Sequence, residues 1–284
     1  MEIKVLPKDL KIEESTPIQL YDYRRTEDLQ KNKINLSKNT ISFLRAGTKE
    51  VMGDDERVQI GNQNFVLMKA GNCLMTEKVS DTNWFYQSIL LFFSNEEALH
   101  FLEKNKQHSL SPKKQQSFYI FEYDPFIQNF VDSLEQLLKL PKHIQTKILK
   151  HKFEEIMLYL IHQNTADFLN ALVQNVNDRT SRLTNTVENN KYNKLKLEEL
   201  AFLCNMSTST FKRAFFKQYH QTPMKWFIEQ RLNHTAFLLK TQKKRPNEVY
   251  EEAGYENFSN FVQAFKKKFG VTPKQYQIEH QIVQ

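Results

Sequence analysis

GYENFSNFVQAFKKKFGVTPKQY, residues 254–276, is one half of an internal repeat whose other half is STSTFKRAFFKQYHQTPMKW, residues 207–226. With Ser209-Thr-Phe211 to Pro223 set beside Ser259-Asn-Phe261 to Pro273, one offset of 50 residues holds throughout. Phe211 meets Phe261, Ala214 meets Ala264, Phe215 meets Phe265 and Lys217 meets Lys267. Further along, Tyr219 meets Phe269, Thr222 meets Thr272, Pro223 meets Pro273 and Trp226 meets Tyr276. The ring positions are four apart, so they share one face of a helix. Each Thr-Pro then opens a further helix, because Pro is tolerated at a first helical position. A match at fixed offset marks a duplicated supersecondary unit.

A shorter helical segment precedes each copy, LKLEELAFLC at 195–204 and PNEVYEEAG at 246–254, with a tight break after it. Short helix, turn and second helix is the helix-turn-helix plan, in which the second helix enters the DNA major groove. An apolar-striped helix from about Met224 to Leu239 joins the copies and would hold two reading heads about one helical turn of DNA apart. The faces opposite the ring rows carry Ser209, Lys212, Arg213 and Lys217 in copy one, and Ser259, Asn260, Gln263 and Lys267 in copy two. Arg and Lys can donate to guanine O6 and N7, while Asn and Gln pair with adenine. Phe258 is expected either to touch a thymine methyl or to cover the core. Lys266, Lys268, Lys243, Lys244 and Arg245 are expected on phosphates or in solvent.

The charge distribution agrees with a polyanion partner. All of the formal +7 lies in residues 188–284, with 16 Lys and Arg against 9 Asp and Glu, while residues 1–187 balance at 24 against 24. No apolar run approaches the roughly 18 residues of a membrane span, so no membrane partner is expected. The charged start MEIKVLPKDLKIEE does not read as a signal peptide, and two cysteines suit a reducing compartment, so a cytoplasmic location is expected.

The stretch Leu195-x-Leu197-Glu-Glu-Leu200-Ala201, then Ser207-x-Ser-x-Phe211-x-Arg213-x-Phe215, and above all Gly254-Tyr255-x-Asn257-x-Ser259-x-Phe261 onward to Thr272-Pro273-x-x-Tyr276, resembles the DNA-binding domain of the AraC/XylS transcription regulators. The resemblance covers about 90 of 284 residues. It implies a seven-helix module with two helix-turn-helices, which most often activates transcription by recruiting RNA polymerase. Carried over by position, it implies base reading at Ser209, Lys212 and Arg213, and at Phe258, Ser259, Asn260 and Gln263. Asn205 and His220 depart from it where glycines are usual, Tyr250 where a small Ala packs, and Pro246 where an apolar residue is usual.

Strand-like segments fill the chain to about residue 95, at 18–23, 40–47, 57–68, 73–79 and 84–93. Without helices between them, they should pair antiparallel as a small barrel or sandwich. Amphipathic helices follow, including DPFIQNFVDSLEQLLKL with Asp124 as cap and Pro125 at its first position, a segment near 142–163, and TADFLNALVQNV at 165–176. The fold class is therefore α+β. Residues 1–176 are expected to form a regulatory and dimerisation domain, 177–193 a linker or an exposed helix start, and 194–284 the DNA-binding domain. Regulators of the resembled type often carry a cupin-like antiparallel β-barrel ahead of the DNA-binding domain, which implies control by a small apolar ligand or a regulatory protein, and a homodimer. The stripe Ile144, Ile148, Phe153, Ile156 and Leu160 is either a dimer seam or a face packed on the barrel.

No enzyme, metal or cofactor is expected. The histidines at 100, 108, 143, 151, 162, 220, 234 and 280 avoid the strands where a metal-dependent cupin needs them, and no phosphate-binding Gly loop or nucleophile elbow is present. Cys73 reads as a small buried hydrophobe before it reads as a redox sensor. Trp84, Phe85, Tyr86, Phe92 and Phe93 fit either a ligand pocket or plain core. A sequence-specific regulator on double-stranded DNA is the leading reading. Its rivals are an architectural DNA-bending protein of low sequence specificity and a zinc-dependent DNA-repair regulator, for which the cysteines are too few.

Overall fold

The computed structural model describes residues 2–12, 16–54, 56–82, 84–105, 116–164, 169, 179–242 and 244–281. The helix expected over 165–176, apart from Leu169, lies outside the described residues, as do His108, Lys243 and residues 177–178. The chain divides into two compact units, Met1–Arg179 and Thr180–Gln284.

Among its described residues the first unit holds ten strands: β1 (Lys4–Leu6), β2 (Ile18–Arg25), β3 (Leu29–Leu36), β4 (Asn39–Ala46), β5 (Thr48–Met52), β6 (Arg57–Ile60), β7 (Asn64–Met68), β8 (Gly71–Lys78), β9 (Tyr86–Phe93) and β10 (Phe118–Glu122). They form two five-stranded sheets, ordered β1-β3-β8-β5-β6 and β10-β7-β4-β9-β2. Pairing is antiparallel except between β1 and β3. The expected barrel thus takes the form of a sandwich of two open sheets, since among the described residues no strand hydrogen-bonds from one sheet to the other.

Strand β9 shows why the second sheet is the centre of this unit. Its eight residues YQSILLFF are all buried. Tyr86, Leu90 and Phe92 point between the sheets with Ile34, Val51 and Met75, while Ile89, Leu91 and Phe93 point the other way, onto helices. Alternating side chains with both faces covered leave no position for a polar stripe. Those helices are α1 (Asn95–Lys104), α2 (Pro125–Leu137) and α3 (Lys142–Asn164). Asp124 caps α2 by accepting a hydrogen bond from the Ile127 N–H at 2.8 Å, and Pro125 follows it. On α3, Phe153, Ile156 and Leu160 are buried with Leu149 and Met157 against the second sheet, with Phe153 and Phe93 ring centres 5.1 Å apart. Of the stripe, Phe153, Ile156 and Leu160 thus pack on the sheet, with Ile148 half-buried beside them.

Some of the polar groups between the sheets are paired there. Lys49 and Glu77, both buried, form an ion pair at 3.4 Å, and Lys49 Nζ also donates to Ser42 Oγ at 2.8 Å. Cys73 is buried beside them, and burial pushes its thiol up to about 12, so it stays protonated and inert at neutral pH. Tyr86, Phe92 and Phe93 are core, whereas Trp84 is 78% exposed.

The second unit holds seven helices among its described residues: α4 (Arg179–Asn189), α5 (Leu197–Leu203), α6 (Thr208–Tyr219), α7 (Pro223–Thr241), α8 (Pro246–Val249), α9 (Phe258–Phe269) and α10 (Pro273–Gln281). The stretch read as a linker or an exposed helix start, 177–193, therefore contains α4, whose Leu183 and Val187 enter the core with Leu200, Phe211, Phe215 and Phe227. A second core gathers Leu232, Ala236, Leu239, Val249, Phe261 and Phe265. Helix α7 feeds both, Phe227 into one and Leu232 to Leu239 into the other.

Candidate nucleic-acid interface

Each copy of the repeat builds its second helix in the same way. Ser207 caps α6 by accepting from the Thr210 N–H at 3.2 Å, and Asn257 caps α9 by accepting from the Ser259 N–H at 2.7 Å. Phe211 and Phe215 are fully buried beneath α6, as are Phe261 and Phe265 beneath α9, with ring centres 5.7 Å apart in both pairs. Tyr219 extends the first row at 4.5 Å from Phe215, and Phe269 the second at 4.4 Å from Phe265. Trp226 and Tyr276 close the rows edge-on, at 5.7 and 5.4 Å from Phe215 and Phe265. Such ring pairs add to area burial in holding a helix to its core.

A buried row on one side fixes what the other side shows. Ser209, Lys212, Arg213 and Lys217 are exposed on α6, and Phe258, Ser259, Asn260, Gln263, Lys266 and Lys267 are exposed on α9. Spacings of three and four residues align Ser209, Lys212 and Arg213 on one face, and Ser259 and Gln263 on the matching face of α9. Phe258 is 40% exposed and packs edge-on against Tyr250, ring centres 5.8 Å apart, so it covers the core and still shows an apolar edge. Lys268 does not join this face. Its Nζ donates to the Glu229 carbonyl at 2.8 Å, and partial burial lowers the pKa of its ammonium.

The repeat also reaches further upstream than the ring positions show. Glu199 accepts from the Lys196 N–H at 2.6 Å and Glu248 from the Arg245 N–H at 2.7 Å, an identical cap 49 residues apart. The offset changes from 49 to 50 because the second turn holds one more residue. Asn205 takes the left-handed conformation at φ 55° in the first turn, and Gly254 at φ 88° in the second. At the far end His220 (φ 51°) and Gly270 (φ 82°) end α6 and α9, donating to the Phe216 and Lys266 carbonyls. Two of the noted departures are therefore non-glycine residues held where glycine is at ease. Gly254 is further constrained by Arg231, whose Nε donates to the Ala253 carbonyl at 3.1 Å and would lie 2.9 Å from a Cβ added there. Tyr250, the counterpart of buried Ala201, turns outward so that its hydroxyl donates to Glu251 at 3.1 Å.

The comparisons with known proteins cover both units. A helix-turn-helix domain model matches residues 200–278, and a model of the ExsA N-terminal regulatory domain matches residues 39–172. The second unit thus carries an AraC-type helix-turn-helix domain, and the first matches the regulatory domain of ExsA. Among relatives, the virulence regulon transcriptional activator VirF of Yersinia enterocolitica is 28% identical over 175 residues, 61% of this chain and 63% of VirF. The transcriptional regulator ExsA of Pseudomonas aeruginosa is 28% identical over 153 residues, 54% of this chain and 55% of ExsA. The chain thus spans little more than half the length of these relatives. A crystal structure of ToxT from Vibrio cholerae aligns over 94% of this chain and 99% of that one, at 12% identity and a TM-score of 0.44. Among the described residues no helix is long and apolar enough to cross a membrane.

Proposed function

We propose that this protein is a sequence-specific regulator of transcription that binds double-stranded DNA through its second unit, with α6 and α9 entering successive major-groove segments. The observation that carries this reading is the duplicated helix with a fully buried ring row on one side and an exposed polar and basic face on the other. Arg213 and Gln263 would read bases, and Lys266 and Lys267 would meet phosphates. The names of the relatives favour activation, which would require a contact with RNA polymerase. No catalysis is proposed, and the cytoplasm is the expected site of action.

Residues 1–176 would act as the regulatory unit. A cavity of about 320 Å³ opens between its sheets, lined by Leu36, Met75, Leu90, Arg25, Asn32 and Lys49. Arg25 Nε and Asn32 Nδ2 are buried without a hydrogen-bond partner among the described residues. Such a lining supports a small ligand with an apolar body and a polar end. A regulatory protein remains the alternative effector. The α3 stripe, mostly packed on its sheet, lends no support to a homodimer.

The test is selection of bound duplexes from a random library with the full chain at two salt concentrations. A two-part motif with halves about one turn apart is expected, with affinity falling steeply as salt rises. Binding that fades with salt and enriches no motif would favour an architectural DNA-bending protein.

A further inference from the structure

The two copies of the repeat provide a control on each other. Where Lys266 stands on α9, α6 carries Phe216, and where Lys274 stands at the start of α10, α7 carries Met224. Both apolar residues are more than half exposed, Phe216 at 56% and Met224 at 58%. They line one cleft of about 640 Å³ together with Leu197, Lys212, Arg213 and Pro223. The matching cleft of copy two is smaller, about 390 Å³, and holds Lys274 and Phe258 at its edge. Copy two builds the same ring row, the same left-handed cap and the same Thr-Pro start with lysines at both places, so folding does not require apolar side chains there. Exposed apolar surface that the fold does not need marks a contact with something else.

The surroundings indicate what that is. Phe216 lies four residues from Lys212, three from Arg213 and seven from Ser209, which continues the exposed α6 face by one turn. Lys217 and Lys225, both exposed, flank the apolar pair. An apolar patch enclosed by cations on the same face as the proposed base-reading residues suits a polyanion that carries small apolar groups, and thymine offers its C5-methyl in the major groove. We propose that Phe216 and Met224 form an apolar reading element of copy one that takes thymine methyl groups, so that copy one selects for thymine where copy two, with lysines, does not. This rests on the DNA-binding reading above.

The experiment uses the full chain and the preferred duplex recovered by selection, with each thymine replaced in turn by deoxyuridine, which lacks only the methyl. Wild type is expected to lose about fourfold in affinity at one or two thymines in a single half of the site. The Phe216→Lys/Met224→Lys variant, which installs the residues of copy two, should bind thymine and deoxyuridine duplexes equally, with an unchanged circular dichroism spectrum. The ratio of the two affinities is insensitive to the general gain from added lysines. Equal sensitivity to deoxyuridine in wild type and variant would overturn the proposal. So would a wild type indifferent to every methyl, and if the variant then failed to activate transcription, the cleft would belong to an acidic protein partner. Failure to recover any preferred duplex would overturn the DNA-reading function itself, and this inference with it.

Discussion

Copy one and copy two of the repeat share a skeleton and differ in their skin. Ring spacing, the glutamate cap and the Thr-Pro start agree closely between them, whereas the exposed faces diverge, Lys212-Arg213-Phe216 in one against Val262-Gln263-Lys266 in the other. Physical chemistry separates the two sets of positions. A ring row that fills a closed core tolerates little change of volume, while a solvated face is free to vary until something binds it. The difference between the copies therefore shows where folding stops dictating the residue.

The largest expected effects test the skeleton. Phe215→Ala and Phe265→Ala each empty the centre of one core and should each cost about 3–5 kcal/mol, measured by chemical denaturation of the full chain. Equal losses would support equivalent copies; a loss confined to one of them would break the equivalence. Next in size are the faces. Arg213→Ala and Gln263→Ala should each relax base preference by about 1–3 kcal/mol, in different halves of the site, whereas Lys266→Ala should weaken all duplexes alike and lower the salt slope by about one. The turns should respond least. Gly254→Ala is expected to destabilise by about 1–2 kcal/mol through its positive φ, with the contact to Arg231 adding to the cost. His220→Gly should stabilise by up to about 1 kcal/mol, giving copy one the residue that copy two has at Gly270. No rise in the melting temperature of His220→Gly would show that the left-handed cap carries no strain worth relieving.

The second unit was legible because its skeleton is written twice. Two Phe, a Thr-Pro and their spacing, met again 50 residues later, identify positions that no single helix would have distinguished. The one-residue difference between the turns concealed the upstream part of the repeat, and only the matched Glu199 and Glu248 caps reveal it. Helix α4 reads in sequence as a linker or an exposed helix start because only Leu183 and Val187, four residues apart, bear on the core among eleven residues of otherwise polar sequence. Phe216 does not stand out beside Phe215 in the sequence, and the signal that marks it is Lys266 at the matching position.

In the first unit the long apolar strands announced themselves and the polar ones did not. Strand β3 reads LQKNKINL, with Lys33 and Asn35 of low strand propensity alternating with Ile34 and Leu36, which bury its inner face. The segment expected as one strand at 57–68 divides into β6 and β7 at Gly61, and β10 returns to pair with β7 after α1 has intervened. Pairings between strands so distant in sequence leave no local periodic trace. Lys268 shows the same limit on a single side chain. It belongs to a run of three lysines, and only the fold shows that it bends back to Glu229 while Lys266 and Lys267 face outward.

Variant-resolved selection tests most directly whether each copy carries its own reading face. Wild type, Arg213→Ala and Gln263→Ala would each be used to select duplexes from the same random library. The expected result is a two-part motif for wild type, with preference erased in one half by Arg213→Ala and in the other half by Gln263→Ala. Identical motifs from all three proteins would contradict it.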